Sequence, residues 1–227
     1  MDSKRNIYKL VRPIVSRAYK PMLQRYLAKP RRYNYNGLSI VVQPGVFHPG
    51  FFFSTKLFLE FLKEQELKGK TLLEVGAGSG LISFYAASVG AIVTAIDISK
   101  TAVENIKNNA LLNKLKIEVS YSDMFSNVAT QKFDIVIVAP PYYKKYPQKE
   151  AEHAWYCGEN GEYFSKLFSG LTKFINPTSR VWMILSDDCD IQMIKAIAAS
   201  NGFSMQAVLE RAKYWEINYI FEISSNR

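Results

Sequence analysis

The chain is poor in the residues that build metal clusters and disulfide frameworks. It has two cysteines, Cys157 and Cys189, and two histidines, His48 and His153, among 227 residues. That is too few for a structural zinc cluster. The cysteines read as free thiols of a reducing compartment, so a cytoplasmic location is expected. No apolar run approaches the roughly 18 residues of a membrane span, and Met1 to Lys9 lacks the apolar stretch of a secretory signal. Hydrophobic residues make up 48% and charged residues 22%, which excludes a disordered chain, a collagen and a coiled-coil rod.

The first 36 residues hold a single acid. Lys4, Arg5, Lys9, Arg12, Arg17, Lys20, Arg25, Lys29, Arg31 and Arg32 stand against Asp2 alone. The rest of the chain holds 19 basic and 19 acidic residues, so the net charge of +9 sits in this extension. Two units are expected: a basic helical extension over 1–36 and a neutral domain over 37–227. Ile7, Leu10, Val11, Ile14, Val15, Ala18, Met22 and Tyr26 recur at helical spacing, with Pro13 and Pro21 as kinks. Two compatible readings follow. The helix docks on the domain by its apolar stripe, or it meets phosphate, an acidic protein or a membrane surface.

Asn36-Gly37 between Tyr33–Tyr35 and Leu38–Val42 predicts a β-hairpin, because this pair supplies two positive φ angles. Ser54 is expected to cap a helix running to about Leu67. Strand and helix then alternate. Strands are expected at Thr71–Val75, Ala91–Ile96, Ile117–Ser120, Phe133–Ala139 and Arg180–Leu185. Helices are expected at Leu81–Val89, from a Ser99 cap through Leu112, at Gly161–Phe174 and at Ile191–Ser200. This rhythm implies a Rossmann-like, doubly wound, mostly parallel sheet of seven strands. Phe203–Leu209 and Tyr214–Ile223 break it. Their short link permits only an antiparallel hairpin. Trp215, Ile217, Tyr219, Phe221 and Ile223 alternate there with Glu216, Asn218 and Glu222.

Leu73-Glu74-Val75-Gly76-Ala77-Gly78-Ser79-Gly80 follows a strand and opens a helix. Backbone must approach a nucleotide cofactor there, and glycine has no Cβ to obstruct it. Glu74 suits a cationic or amino-bearing ligand and would repel a pyrophosphate. Asp97 ends the next strand, 21 residues after Gly76, where a carboxylate takes ribose hydroxyls. Val138-Ala139-Pro140-Pro141-Tyr142-Tyr143 follows the fourth strand of the sheet, at the edge where ligands bind. His48 and His153 are candidates for a base, with a hydrogen-bonded loop histidine as the simpler reading. Asp187-Asp188-Cys189-Asp190 reads as helix-cap acids in a solvated loop rather than a metal site, with Asp188 as the cap and Asp190 in the first turn.

With these motifs in order, the chain resembles the class I S-adenosylmethionine-dependent methyltransferases over about residues 37–227. The resemblance implies S-adenosyl-L-methionine as cofactor. It implies Glu74 at the methionine amino group, Gly76, Ala77, Gly78 and Gly80 as the loop, Asp97 with Ile98 at the ribose, and Ser122-Asp123-Met124 at the adenine. Ala139-Pro140-Pro141-Tyr142 is similar to the Asn-Pro-Pro-Tyr motif of enzymes that methylate planar nitrogens. Pro44-Gly45-Val46-Phe47, Thr55 and Ala154–Gly161 resemble one branch, the HemK-like glutamine methyltransferases and their relatives acting on ribosomal RNA bases. Cys157 and Asn160 depart from that branch's pattern.

The departure with chemical consequence is Ala139, which also falls within the cofactor motif. In the family this position is polar and accepts a hydrogen bond from the target NH₂. Losing one such partner costs about 3 kcal/mol, or about a hundredfold in rate. Three explanations stand side by side. The acceptor needs one hydrogen-bond partner only, as an amine, hydroxyl or activated carbon does. Alternatively Tyr143, His153 or Glu152 replaces the lost oxygen, or the protein binds cofactor and partner without catalysis. The resemblance implies direct in-line transfer without metal, to a nitrogen of an RNA base or a protein glutamine, with RNA or a translation protein met through the basic extension. The alternatives are a small-molecule methyltransferase and a non-catalytic binding protein.

Overall fold

The computed structural model describes residues 22, 25–213 and 216–226. The apolar stripe expected from Ile7 to Ala18, and Tyr214 and Trp215, lie outside the described residues.

The chain enters as the hairpin β1 (Arg31–Tyr35) and β2 (Leu38–Val42), paired antiparallel with Tyr35 opposite Leu38. Asn36 and Gly37 take φ of +45° and +80°, the two left-handed conformations that such a turn requires. The expected boundary after residue 36 falls on this turn. A 3-10 turn (Pro49–Phe51) leads into α1 (Phe53–Lys63). Ser54 does not cap α1: Phe52 holds that position and gives no side-chain bond, while Ser54 is buried in the first turn. The helix also stops at Lys63, short of the expected Leu67.

The main domain follows as β3 (Thr71–Val75), α2 (Leu81–Ser88), β4 (Ile92–Asp97), α3 (Lys100–Leu112), β5 (Ile117–Tyr121), β6 (Ile135–Val138), α4 (Glu162–Leu171), β7 (Arg180–Ser186), α5 (Ile191–Ser200), β8 (Phe203–Lys213) and β9 (Glu216–Ser225). The sheet order is β5-β4-β3-β6-β7-β9-β8. β5 to β7 run parallel, and β9 pairs antiparallel with both β7 and β8. The terminal hairpin is therefore present, with a register shift between Ala207 and Leu209.

Side chains alternate across the sheet, so each strand feeds two cores. Leu72, Ile135, Ile137, Trp182 and Ile184 pack with α1, α2 and α3. Leu73, Val75, Val136, Val138, Met183 and Leu185 pack with α4 and α5. The chain winds from β3 outward to β5 and then returns to β6 on the other side of β3. The switch point lies between β3 and β6, where open sheets of this kind hold ligands at the carboxyl ends of their strands.

The hairpin is tied to this frame by an asparagine ladder. Asn105, Asn109 and Asn113 lie four residues apart on one face of α3. Asn109 accepts from the Val41 amide at 2.8 Å and donates to the Val41 carbonyl at 2.8 Å. Asn113 repeats this on Ser39 at 2.9 and 2.8 Å. Asn105 makes the first bond of the pattern, to the Gln43 amide at 3.0 Å. Carboxamides thus stand in for a neighbouring strand along β2. Asn109 is buried, so Asn109→Ala leaves an amide and a carbonyl unsatisfied. A stability loss of about 2–3 kcal/mol is expected, read as a lowered urea midpoint. A loss below about 0.5 kcal/mol would show that the ladder adds nothing.

Candidate functional site

At the carboxyl end of β3 the chain turns through Gly76, Gly78 and Gly80, all at positive φ. Gly80 is there for packing. A Cβ on it would stand 2.9 Å from Ile106 and 3.0 Å from the Phe84 ring. Around this loop lies a cavity of about 260 Å³. It is lined by the loop from Gly76 to Ser79, by Glu74 and Asp97, and by Ala139, Pro140, Pro141 and Tyr142. Gly45, Val46, Phe47 and Thr55 also line it. Gly80 does not. A second cavity of about 160 Å³ adjoins it and is lined by Ile98, Ser122, Asp123 and Met124. Gly76, Asp97, Ile98, His153 and Tyr163 line both.

The two acids named from the sequence are held differently. Glu74 is buried, and its Oε2 accepts from the Ser83 amide at 2.9 Å and from the Ser83 hydroxyl. Those donors belong to the first turn of α2, where the helix dipole favours negative charge. Burial nevertheless dominates and pushes the Glu74 carboxyl up to about 8, with the Asp97 charge adding to the rise. Asp97 is also buried. Its Oδ2 accepts from the Gly78 amide and its Oδ1 from the Ser99 amide, each at 2.8 Å. Burial raises its carboxyl above the usual range, against these amides, which lower it. Asp97 therefore braces the glycine loop against the start of α3, which Ser99 caps as expected.

Asp123 pairs with Lys166 at 2.8 Å on an exposed edge of the second cavity. Tyr142 lines the first cavity together with Ser54, and burial drives the Tyr142 hydroxyl well above its ordinary range. Ala139 is exposed to the cavity. Of the groups considered as replacements for its missing oxygen, Tyr143 and His153 line the cavity. Glu152 instead accepts from the Gln148 amide at 2.7 Å. His48 is a loop histidine. Its Nδ1 accepts from the Gly50 amide at 3.1 Å, and its ring faces Tyr33 and Phe51.

The acid run after β7 divides its labour. Asp190, not Asp188, caps α5: its Oδ1 accepts from the Met193 amide at 3.1 Å, and its Oδ2 pairs with Lys144 at 2.9 Å. Asp187 accepts from the Ile217 amide at 3.0 Å. Asp188 lines the first cavity, as does Glu216 at the start of β9. Cys157 and Cys189 are free and buried.

Several lining residues carried no readable motif. Tyr163 is the clearest. Its hydroxyl is buried with no hydrogen-bond partner among the described residues, close to Asp97 and 3.8 Å from where a Cβ on Gly76 would stand. The segment from Tyr143 to Cys157 folds back to bring it there. Tyr143 and Trp155 are joined by an amide–carbonyl bond of 2.9 Å, as are Cys157 and Tyr143. Glu150 on this segment accepts from the Lys100 amide at 3.0 Å, at the N-terminus of α3. Phe52 stacks on Phe47 at 3.9 Å between ring centroids, and Trp155 stands 5.5 Å from Phe52 and 5.6 Å from Phe47.

A seven-stranded sheet in this order, with carboxylates at the ends of β3 and β4 and a Pro-Pro-Tyr turn after β6, defines the methyltransferase class of open α/β proteins. Within it, a profile of the methyltransferase small domain matches residues 37–156, over half of the chain, and the chain belongs to that family. Among curated proteins, a putative protein N5-glutamine methyltransferase of Methanocaldococcus jannaschii is 39% identical over 107 residues. That match covers 47% of this chain and 52% of the relative. The ribosomal protein L11 methyltransferase of Helicobacter hepaticus is 35% identical over 102 residues, covering 43% and 32%. The matched stretch thus spans a third to a half of these relatives. A methyltransferase structure from Pyrococcus furiosus has the same fold, with a TM-score of 0.62, 21% identity, and 92% and 98% of the two chains covered. The 16S rRNA N2 G1207 methyltransferase of T. thermophilus, solved with AdoMet and guanosine, superposes with a TM-score of 0.62 at 17% identity, over 88% of this chain and 50% of that one.

Proposed function

We propose that this protein is an S-adenosylmethionine-dependent methyltransferase acting on a nitrogen carried by a macromolecule of the translation apparatus. One observation carries the reading: the adjoining cavities run from Glu74 and the glycine loop, past Asp97, to Met124 on one side and to Ala139–Tyr142 on the other. The residues fit the cofactor. A buried carboxylate at Glu74 suits an ammonium, buried Asp97 suits a pair of hydroxyls, and the orphaned Tyr163 hydroxyl offers one more donor. When bound, the cofactor supplies a methyl group on a cationic sulfur.

In this reading Glu74 and Asp97 bind and orient the two ends of the donor. Ile98 and Met124 give apolar contact to the base, with Asp123 at its edge. Pro140, Pro141 and Tyr142 form a rigid wall that holds the acceptor in line and keeps water out. The Pro140 carbonyl can accept a hydrogen bond from the target N–H, which the Ala139 side chain cannot. The basic extension over 1–36 is the sequence feature that suits a polyanionic surface such as RNA or a ribosomal particle.

Thermal unfolding tests the cofactor assignment. S-adenosylmethionine and S-adenosylhomocysteine at a hundred times their dissociation constants are expected to stabilise by about 2.7 kcal/mol, or roughly 5–10 °C for a chain of this size. NAD at the same concentration is expected to leave the midpoint in place. No shift with either sulfur nucleotide would overturn the reading.

A further inference from the structure

Resting on the methyltransferase reading, we infer that the acceptor nitrogen belongs to an aliphatic amine, which enters the first cavity as an ammonium ion. The argument starts from charge. This protein carries +9, yet among the described residues no lysine or arginine lines that cavity, whereas five carboxylates do. Glu74 and Asp97 belong to the cofactor end, and Glu150 is engaged with the α3 N-terminus. Asp188 and Glu216 line the cavity at the acceptor end. Glu216 lines the same cavity as the Pro-Pro-Tyr wall. A phosphate-bearing nucleotide would be repelled there, and a neutral amide or base would gain hydrogen bonds from the acids but no charge pairing. A cation gains from both.

The rings say the same independently. Phe47, Phe52 and Trp155 form a contiguous aromatic wall, with centroids 3.9 to 5.6 Å apart, and all three line the cavity. Aromatic faces combined with carboxylates attract alkylammonium groups, because ring quadrupole and carboxylate act with the same sign. Ala139 completes the case. An amide or base nitrogen has a delocalised lone pair, which a polar side chain at this position helps to free. An amine has a localised pair and has only to lose a proton. That proton leaves the ammonium for a cavity carboxylate or water. The nitrogen pair then bonds to the methyl carbon while the carbon–sulfur pair passes to sulfur. The product is a methylated ammonium and a neutral thioether.

The test is transfer of labelled methyl from S-adenosylmethionine by the full chain to four probes: Nα-acetyl-lysine amide, spermidine, Nα-acetyl-glutamine amide and cytidine. Label is expected on one or both amines, and the first two arms separate a protein side chain from a free polyamine. Asp188→Asn, Glu216→Gln and Trp155→Ala are each expected to lower kcat/KM toward the amine about tenfold, with S-adenosylhomocysteine affinity kept within about threefold. Retained affinity shows that each variant is folded. Label on the glutamine amide or cytidine instead of the amines overturns the inference and leaves the methyltransferase reading standing. So does cofactor binding without label on any probe. Failure to bind S-adenosylhomocysteine overturns both.

Discussion

Asp97→Asn is expected to weaken S-adenosylhomocysteine binding about a hundredfold, a loss of about 3 kcal/mol from charge-assisted hydrogen bonds. In the proposed complex the carboxylate accepts from ribose hydroxyls while still bracing the Gly78 and Ser99 amides, 2.8 Å from its two oxygens. A carboxamide retains one acceptor oxygen and points an N–H group at a donor. The variant should therefore also lose about 1–3 kcal/mol of stability without ligand. Calorimetric titration well below the unfolding midpoint separates the two effects. Tyr163→Phe provides the contrast. Its hydroxyl has no partner among the described residues, so removing it should not destabilise the free protein, while ligand affinity falls about five- to tenfold. An Asp97→Asn dissociation constant within about threefold of wild type would remove Asp97 from the cofactor site.

These residues differ in how far the sequence exposes them. The glycine loop, Asp97 and the Pro-Pro-Tyr turn are legible because their constraint is local: a strand ends, backbone must come close to a ligand, and few residue types permit it. The alternation of strands and helices is legible for the same reason, down to the Ser99 cap. Ser54 and Asp188 show where local logic fails. Both have capping chemistry next to a helix start, but the fold places both in the lining of the first cavity. Asn105, Asn109 and Asn113 belong to no ligand motif, yet the hairpin covers them and uses their carboxamides as a strand edge. Their spacing of four residues was the available signal. Tyr163 and Trp155 gain meaning only from the fold-back of residues 143–157, which no periodicity encodes. Gly80 looks like a ligand-loop glycine, but its neighbours Ile106 and Phe84 set the requirement.

The largest pH effect should come from Glu74. Its carboxyl lies at about 8 in the folded protein, raised first by burial, against 4.5 for the ordinary group. A raised folded value means that the folded state holds the proton more tightly than the unfolded chain. The resulting stability is fully present below pH 4.5 and is lost as pH climbs through 8. The shift corresponds to about 5 kcal/mol between those limits, to within about a factor of two. Asp97 and other groups shape the absolute curve, so the informative quantity is the difference between wild type and Glu74→Gln. That difference should move in favour of the variant as pH rises from 4.5 to 8, because glutamine keeps a neutral group there at every pH. Binding should run the opposite way. An amino-bearing ligand beside Glu74 favours the carboxylate, so at pH 7 its binding expels a proton, and its affinity should strengthen by up to about tenfold per pH unit below the free-protein value. Titration of S-adenosylhomocysteine in two buffers of different ionisation heat reads the proton directly. 5′-Methylthioadenosine, which lacks the amino acid, should release none, and Glu74→Gln should abolish the release seen with S-adenosylhomocysteine. Equal proton release by wild type and Glu74→Gln would move the amino-group site away from Glu74.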